Sequence, residues 1–392
     1  MSPPFLQTRL ALLYMAYFGA QGIFLPYWPV WLNAKGFETG QIALLLGIFP
    51  WLTVVCGPLA GRIADLKGSR RTILRVLAVL FLCGYVLMAF ASVPWQIIAL
   101  LILIGASGAP YNAMVDTMTL MAHRAGKPVD YGRTRMWGSA AFILASSLGG
   151  LALGRFGEAA ILYALIGAGG AMVLTGLTAP RLREVEDGRA PVSPADSAAA
   201  ARPKLLGQPV FLCFLLAAAC LQAQHGVLYM YGTLRWRAAE VPDSVIGWLW
   251  AEGVLAEILL FLVGVRVLSR LGPLNLMLLS GLAGMVRWPM LAETTWLPAL
   301  IFAQALHGFT FGAFHLGAME FIRQAAPRGS AGAVQGIYAA LVAGVASGLS
   351  IPLAGQLAGR FGSDAYWAMI LPACMGLVLL LWVRTRWDRA RL

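Results

Sequence analysis

Eight ionisable side chains stand inside long apolar runs: Asp116, His225, Glu252, Glu257, Arg287, His307, His315 and Glu320. A charge at the centre of a hydrocarbon layer costs roughly 2.5–3.5 kcal/mol, so each should face a partner or a cavity. Seven of the eight lie in the second half of the chain. Acids, imidazoles and one guanidinium gathered there can take up, hold and release a proton. Glu252 and Glu257 are five residues apart, about 140° around a helix, so they cannot both face one partner squarely. His307 and His315 are eight apart, about 12 Å along a helix axis, too far to share a metal ion. No Ser/His/Asp cluster, metal-ligand motif or phosphate-cradling loop accompanies them, which argues against an enzyme. Neither a cofactor nor a metal is expected.

Membrane helices must position these groups. The chain has 392 residues, 59% hydrophobic and only 12% charged, against roughly 25% charged in soluble domains. Apolar runs long enough to cross about 30 Å of hydrocarbon recur from end to end. The pattern predicts twelve spans, near 8–32, 39–64, 72–90, 95–121, 134–154, 158–179, 208–233, 244–268, 273–292, 296–321, 332–360 and 363–384. Residues 180–204, with Glu184, Glu186, Asp187, Pro191 and Pro194, read as a polar cytosolic linker between halves 1–179 and 205–392. With the N-terminus cytosolic, 23 of the 29 Lys and Arg fall on the cytosolic side. That asymmetry places both termini in the cytosol of a multi-pass protein of the cell's inner membrane. The net charge of +12 therefore sets topology and is no nucleic-acid footprint. Arg9 leads straight into a full-length span, so no cleavable signal is expected. The five cysteines lie inside apolar runs and read as small buried residues.

On this topology Arg287 lies about 9 Å below the outer surface, Glu252 about 12 Å, His307 about 17 Å and Glu257 about 20 Å. Depth alone pairs Arg287 with Glu252. Asp116, near the cytosolic end of its span, is at a depth that Arg133 or Arg135 could reach, and a gating or structural ion pair is expected. Glu320 and Arg323 read as a local pair, and His225 as an interfacial residue. Between the second and third spans, Gly61-Arg-Ile-Ala-Asp65-Leu-Lys-Gly68-Ser-Arg70-Arg71 makes a short, charged hairpin suited to a sharp cytosolic turn.

That hairpin resembles the signature of the major facilitator superfamily, with Gly61, Asp65, Gly68, Arg70 and Arg71 in the expected places. The matching turn of the second half has Leu268 where the acid would stand. Gly22-Ile-Phe-Leu-Pro26-Tyr-Trp-Pro29-Val-Trp-Leu32 and Tyr131-Gly-Arg133-Thr-Arg135-Met-Trp-Gly138 resemble the lactose permease branch of proton symporters. Asp130-Tyr-Gly-Arg133, Gly247-Trp-Leu-Trp running to Glu257, Val286-Arg287-Trp288, Leu306-His307 and His315 resemble the phenylpropionate permease type. In contrast to the lactose permease pattern, Thr310 rather than an acid stands one turn after His307.

The resemblance implies an all-α integral membrane fold of twelve helices in two pseudo-symmetric six-helix bundles. It implies proton-coupled symport of a small organic solute, an aromatic carboxylate by preference. A sugar or nucleoside symporter and a proton-antiporting exporter are the alternatives on the same fold. By resemblance the cavity wall would include Gln21, Tyr27, Phe142, Trp248 and Trp288. The proton would be carried by Glu257, with Glu252, His307, His315 and Arg287 in support; the alternative for Glu257 and Arg287 is a structural pair. Burial favours a neutral carboxyl and a nearby cation an ionised one, so a solute that engages Arg287 would favour protonation of the acid. The expected partners are the solute, protons and the lipid bilayer, with no nucleic acid and a monomer as the working unit.

Overall fold

The computed structural model describes residues 3–180, 205, 207–327, 330–388 and 391. The expected linker 180–204 lies almost wholly outside the described residues. Among the described residues the chain is helical with no strand. Helices α1 (Pro3–Ala34), α2 (Thr39–Lys67), α3 (Arg70–Met88), α4 (Pro94–Arg124), α5 (Tyr131–Phe156) and α6 (Ala159–Thr178) follow the first six expected spans. The seventh is interrupted, giving α7 (Pro209–Ala223) and α8 (Gly226–Ala238). Next come α9 (Asp243–Leu271) and α10 (Pro273–Glu293).

The tenth span begins as α11 (Leu297–Ala305), widens into a π-helix over Gly308–Ala313 and continues as α12 (Phe314–Ala325). The eleventh comprises α13 (Ala331–Tyr338), a second π-helix over Ala339–Ala346 and α14 (Ser347–Phe361). A 3-10 turn over Gly362–Met369 leads into α15 (Ile370–Arg386). Ten described stretches are long and apolar enough to cross a membrane; one of them, Val334–Arg386, covers the last two expected spans. Helix α9, which is 29 residues long and carries Glu252 and Glu257, occupies the eighth. Large apolar side chains point outward along these helices, among them Leu262 at 72% and Val265 at 83% exposure. In water that surface would drive aggregation; in lipid it is solvated. The cysteines correct an expectation: they are free, but Cys83 is exposed and the other four are only half-buried, so they are not the buried residues that the apolar runs suggested.

The residues group into two compact units, Met1–Glu186 with Trp236–Ala251 and Asp187–Arg235 with Glu252–Leu392. In the first unit α1 packs on α5 and α6, while α4 packs on α2 and α3. Segment Trp236–Ala251 belongs to the second half of the sequence but joins this unit. The reason is local: a Cβ at Gly150 would clash with the Asp243 carbonyl oxygen, and one at Gly247 would stand 2.5 Å from that of Ser146. Only glycine lets these backbones approach so closely. Arg237 adds ion pairs to Glu158 at 3.0 Å and Asp243 at 2.9 Å. A backbone N–H and Arg237 together hold the Glu158 carboxyl below the usual carboxylate range.

The second unit has an aromatic core in which Phe214 stacks on Phe321 at 4.1 Å and Trp387 closes on Phe321 at 4.5 Å. Helix α10 packs against α12, α15 and the first π-helix. The hairpin after α2 turns on Gly68, whose φ of +60° caps the helix in the left-handed region. Asp65 pairs with Arg70 across the turn, and Ser69 caps α3 by accepting from the Thr72 N–H. Arg71 donates to the Leu177 carbonyl at 2.9 Å and so ties α3 to the end of α6.

Candidate functional site

The second unit buries a cation. Arg287, on α10, is fully inaccessible to solvent. A buried guanidinium is tolerated only when hydrogen-bonded and charge-compensated. Three residues of the tenth span supply acceptors: His307 Nδ1 at 2.9 Å, Thr310 Oγ1 at 2.8 Å and Gln304 Oε1 at 2.8 Å. Their spacing of three residues, about 60° per step around an α-helix, brings them to one side of the span. The Thr310 carbonyl accepts from the Ser280 hydroxyl at 2.7 Å, fixing that turn against α10. A π-turn inserts one extra residue and re-aims the side chains around it, which is why such turns recur at functional sites.

Compensation comes through the imidazole. His307 Nε2 is 2.8 Å from Glu257 Oε1. Because a guanidinium can only donate, His307 Nδ1 must accept, so the ring proton sits on Nε2 and is donated to Glu257. The result is a chain from cation to carboxylate, Arg287 to His307 to Glu257, with one imidazole between the two charges. Close helix packing holds it together: a Cβ at Gly308 would stand 2.9 Å from the Ala256 carbonyl oxygen.

Glu252 makes no hydrogen bond or ion pair with Arg287, and its Oε2 is buried without a partner. The pairing expected from depth is thus replaced by one through His307. Depth measures position along a helix and not the direction a side chain takes around it. His315 is exposed and lies beyond this chain, with a ring between: His307 stacks on Phe311 at 5.5 Å and Phe311 on His315 at 6.1 Å. Trp288 is fully buried, donates Nε1–H to Gln224 Oε1 at 2.9 Å and lies 5.0 Å from the guanidinium. His225, expected at an interface, is fully buried at the break between α7 and α8, edge-on to His307 and Trp288.

The remaining expected residues lie in the first unit. Tyr27 is fully buried and donates to the Ser146 carbonyl at 2.5 Å beside Gly150 and Gly247, so it is a packing contact and not part of an open wall. Phe142 is buried against α1 near Gly22. Gln21 is half-buried, and Trp248 is 48% exposed. Asp116 does not pair with an arginine. It accepts from the hydroxyls of Tyr14 at 2.6 Å and Tyr131 at 3.1 Å and from the Asn112 amide at 3.3 Å. Arg135 instead lies over the Phe18 ring at 4.0 Å, and Arg133 is exposed. Neutral donors on α1 and α5 reach the carboxylate and leave no need for a cation. The local pair of Glu320 and Arg323 is formed at 2.5 Å.

Sequence reasoning missed Gln304 and Thr310 as ligands of Arg287. The signal was present in the three-residue spacing of Gln304, His307 and Thr310, but an α-helical count does not show that all three converge.

A bundle of apolar-faced helices that encloses an arginine, a histidine and an acid defines a class, the membrane transport proteins of the major facilitator fold. The chain belongs to the MFS_1 like family, which matches residues 7–369, and is a transporter and not an enzyme. It is 34% identical over 377 residues to the probable 3-phenylpropionic acid transporter of Escherichia coli (strain K12), covering 94% of this chain and 96% of that one. It is 25% identical over 390 residues to the maltose permease of Geobacillus stearothermophilus, covering 97% and 95%. Among solved structures the nucleoside transporter NupG matches with a TM-score of 0.82 at 18% identity, covering 98% of this chain and 99% of that one; at that identity the likeness is one of fold.

Proposed function

We propose that this protein is a proton-coupled symporter of a small organic solute, an aromatic carboxylate such as 3-phenylpropionate by preference, working by alternating access. The observation that carries the proposal is the buried chain Arg287–His307–Glu257. The relative that transports 3-phenylpropionic acid supports the solute class.

Charge balance supplies the coupling. Without solute, ionised Glu257 balances Arg287. A solute carboxylate bound at Arg287 adds a negative charge, and a proton on Glu257 removes one. The empty, unprotonated site and the doubly loaded site are therefore both neutral. Solute alone leaves a net −1 and proton alone a net +1, each costing roughly 2.5–3.5 kcal/mol at mid-membrane. At about 1.4 kcal/mol per factor of ten, those half-loaded states are disfavoured by roughly two orders of magnitude. His307 passes the hydrogen bond between cation and acid, so occupation of one is felt at the other.

The frame for this cycle is two six-helix bundles, 1–179 and 205–392, joined by a cytosolic linker at 180–204. Both termini are cytosolic in the cell's inner membrane, and the working unit is a monomer. The hairpin with Asp65 and Arg70 and the cluster around Asp116 serve as gate elements. Polar groups around Asp116, including Tyr14, Tyr131 and Asn112, favour as second reading a hydroxyl-rich solute such as a sugar or nucleoside.

Uptake of labelled 3-phenylpropionate into proteoliposomes, with and without an inward proton gradient, tests the proposal against protein-free liposomes. Accumulation above that control, abolished by an uncoupler, is expected. In Glu257→Gln, accumulation should vanish while exchange down a gradient survives. Proton-driven accumulation retained in that variant would remove Glu257 from the coupling. Absence of any excess uptake would turn the search to sugars and nucleosides.

A further inference from the structure

Two atoms beside the proposed carboxylate site are buried without a hydrogen-bond partner, Arg287 Nε and His225 Nε2. His225 is fully buried, and its Nδ1 lies 3.2 Å from the Gln222 carbonyl oxygen. A carbonyl only accepts, so the ring proton sits on Nδ1 and Nε2 presents a bare lone pair. Leaving such an acceptor unpaired inside a protein is costly, so the site favours a solute that supplies the missing donor. The position is also a break in the chain's helical course, between α7 and α8.

Its surroundings are rings. His225 stands edge-on to Trp288 at 5.4 Å, His307 at 5.6 Å and Phe311 at 6.2 Å, and stacks on Tyr229 at 5.6 Å. Trp288 in turn carries the Arg287 guanidinium 5.0 Å from its ring. An aromatic wall therefore links a cation whose Nε–H is unused to a neutral acceptor that no donor reaches.

We infer that His225 is a specificity-determining residue: its Nε2 accepts a hydrogen bond from a hydroxyl on the transported acid while Arg287 holds the carboxylate. The preferred solutes are then ring-hydroxylated aromatic acids. This rests on the carboxylate reading of Arg287 and narrows it. The donor is a hydroxyl because an ammonium would bring a second cation beside Arg287 in a medium of low dielectric. A site built to bond a hydroxyl discriminates strongly against analogues without one, since its own polar group is then left unpaired.

The experiment uses the purified full chain in detergent, where leakage of weak acids through lipid plays no part. Bound, labelled 3-phenylpropionate is displaced by its ortho, meta and para hydroxyphenyl analogues and by their methoxy counterparts. At least one hydroxyphenyl isomer should displace the label at a concentration roughly tenfold lower than the unlabelled parent acid, about 1.4 kcal/mol. Its methoxy counterpart, of similar shape but without a donor, should lose that advantage. His225→Phe should level hydroxylated and parent acids, and His225→Gln, which keeps an acceptor, should preserve part of the preference. Equal displacement by hydroxy and methoxy acids in the unmutated protein overturns the inference, whether or not the variants fold. So does a preference that survives His225→Phe. If no aromatic acid binds at all, the carboxylate reading fails and this inference falls with it; equal binding overturns the inference alone.

Discussion

At the scale of single residues, His307 decides whether cation and acid act as one unit. It accepts from Arg287 through Nδ1 and donates to Glu257 through Nε2. Glutamine can do the same with its carbonyl and amide groups, although its reach is shorter; leucine can do neither. His307→Gln is therefore expected to keep measurable proton-driven uptake. His307→Leu leaves Arg287 short of an acceptor and Glu257 short of a donor. Breaking a buried charged network by removing one partner costs about 3–5 kcal/mol, so that variant should lose coupled uptake and melt well below the glutamine variant. Uptake assays and thermal melting of both proteins check this; equal behaviour of the two would make His307 a space-filler.

The secondary elements set the distances on which that residue depends. The π-helix over Gly308–Ala313 lies against α9 at Gly308, where a Cβ would meet the Ala256 carbonyl oxygen at 2.9 Å. Backbone cannot yield as a flexible side-chain tip can, so Gly308→Ala should push the two helices apart. Overpacking of this kind costs about 1–3 kcal/mol. The contact between His307 and Glu257, one residue from the insult on each side, should lengthen from its 2.8 Å. Coupled uptake should fall further than solute binding, because Arg287 keeps its anchor on α10. Binding and uptake measured side by side on Gly308→Ala test this, and an equal loss of both would count against it.

For the whole molecule, the balance of one proton against one carboxylate makes transport of a monovalent acid electrically silent. Charge recordings on a supported membrane should show no sustained current at saturating solute, although uptake follows an imposed pH gradient. A current that scales with uptake would mean a different stoichiometry. Legibility from sequence differed by level. The spans and the charged turn at Asp65 and Arg70 could be read directly, because hydropathy, a glycine at the turn and short-range pairing are local in the chain. Asp116 shows where such reading stops: arginines nearby in sequence lost to the hydroxyls of Tyr14 and Tyr131, since the competition was settled by neighbours in space.

The sequence by itself determined that this chain lives in a membrane, roughly where its spans lie, and which few side chains carry charge into the apolar interior. Those follow from composition and from the cost of placing polar groups in hydrocarbon, both written residue by residue. Only the tertiary structure decided how the buried charges pair. Gln304, His307 and Thr310 converge on Arg287 where the tenth span packs against α10, and Glu257 rather than Glu252 joins them because of the direction each takes around α9. His225 passed from a residue near the outer end of a span to one sealed among rings for the same reason. Rotation about a helix axis and close approach at glycines arise from packing between segments distant in sequence, and no single segment contains them.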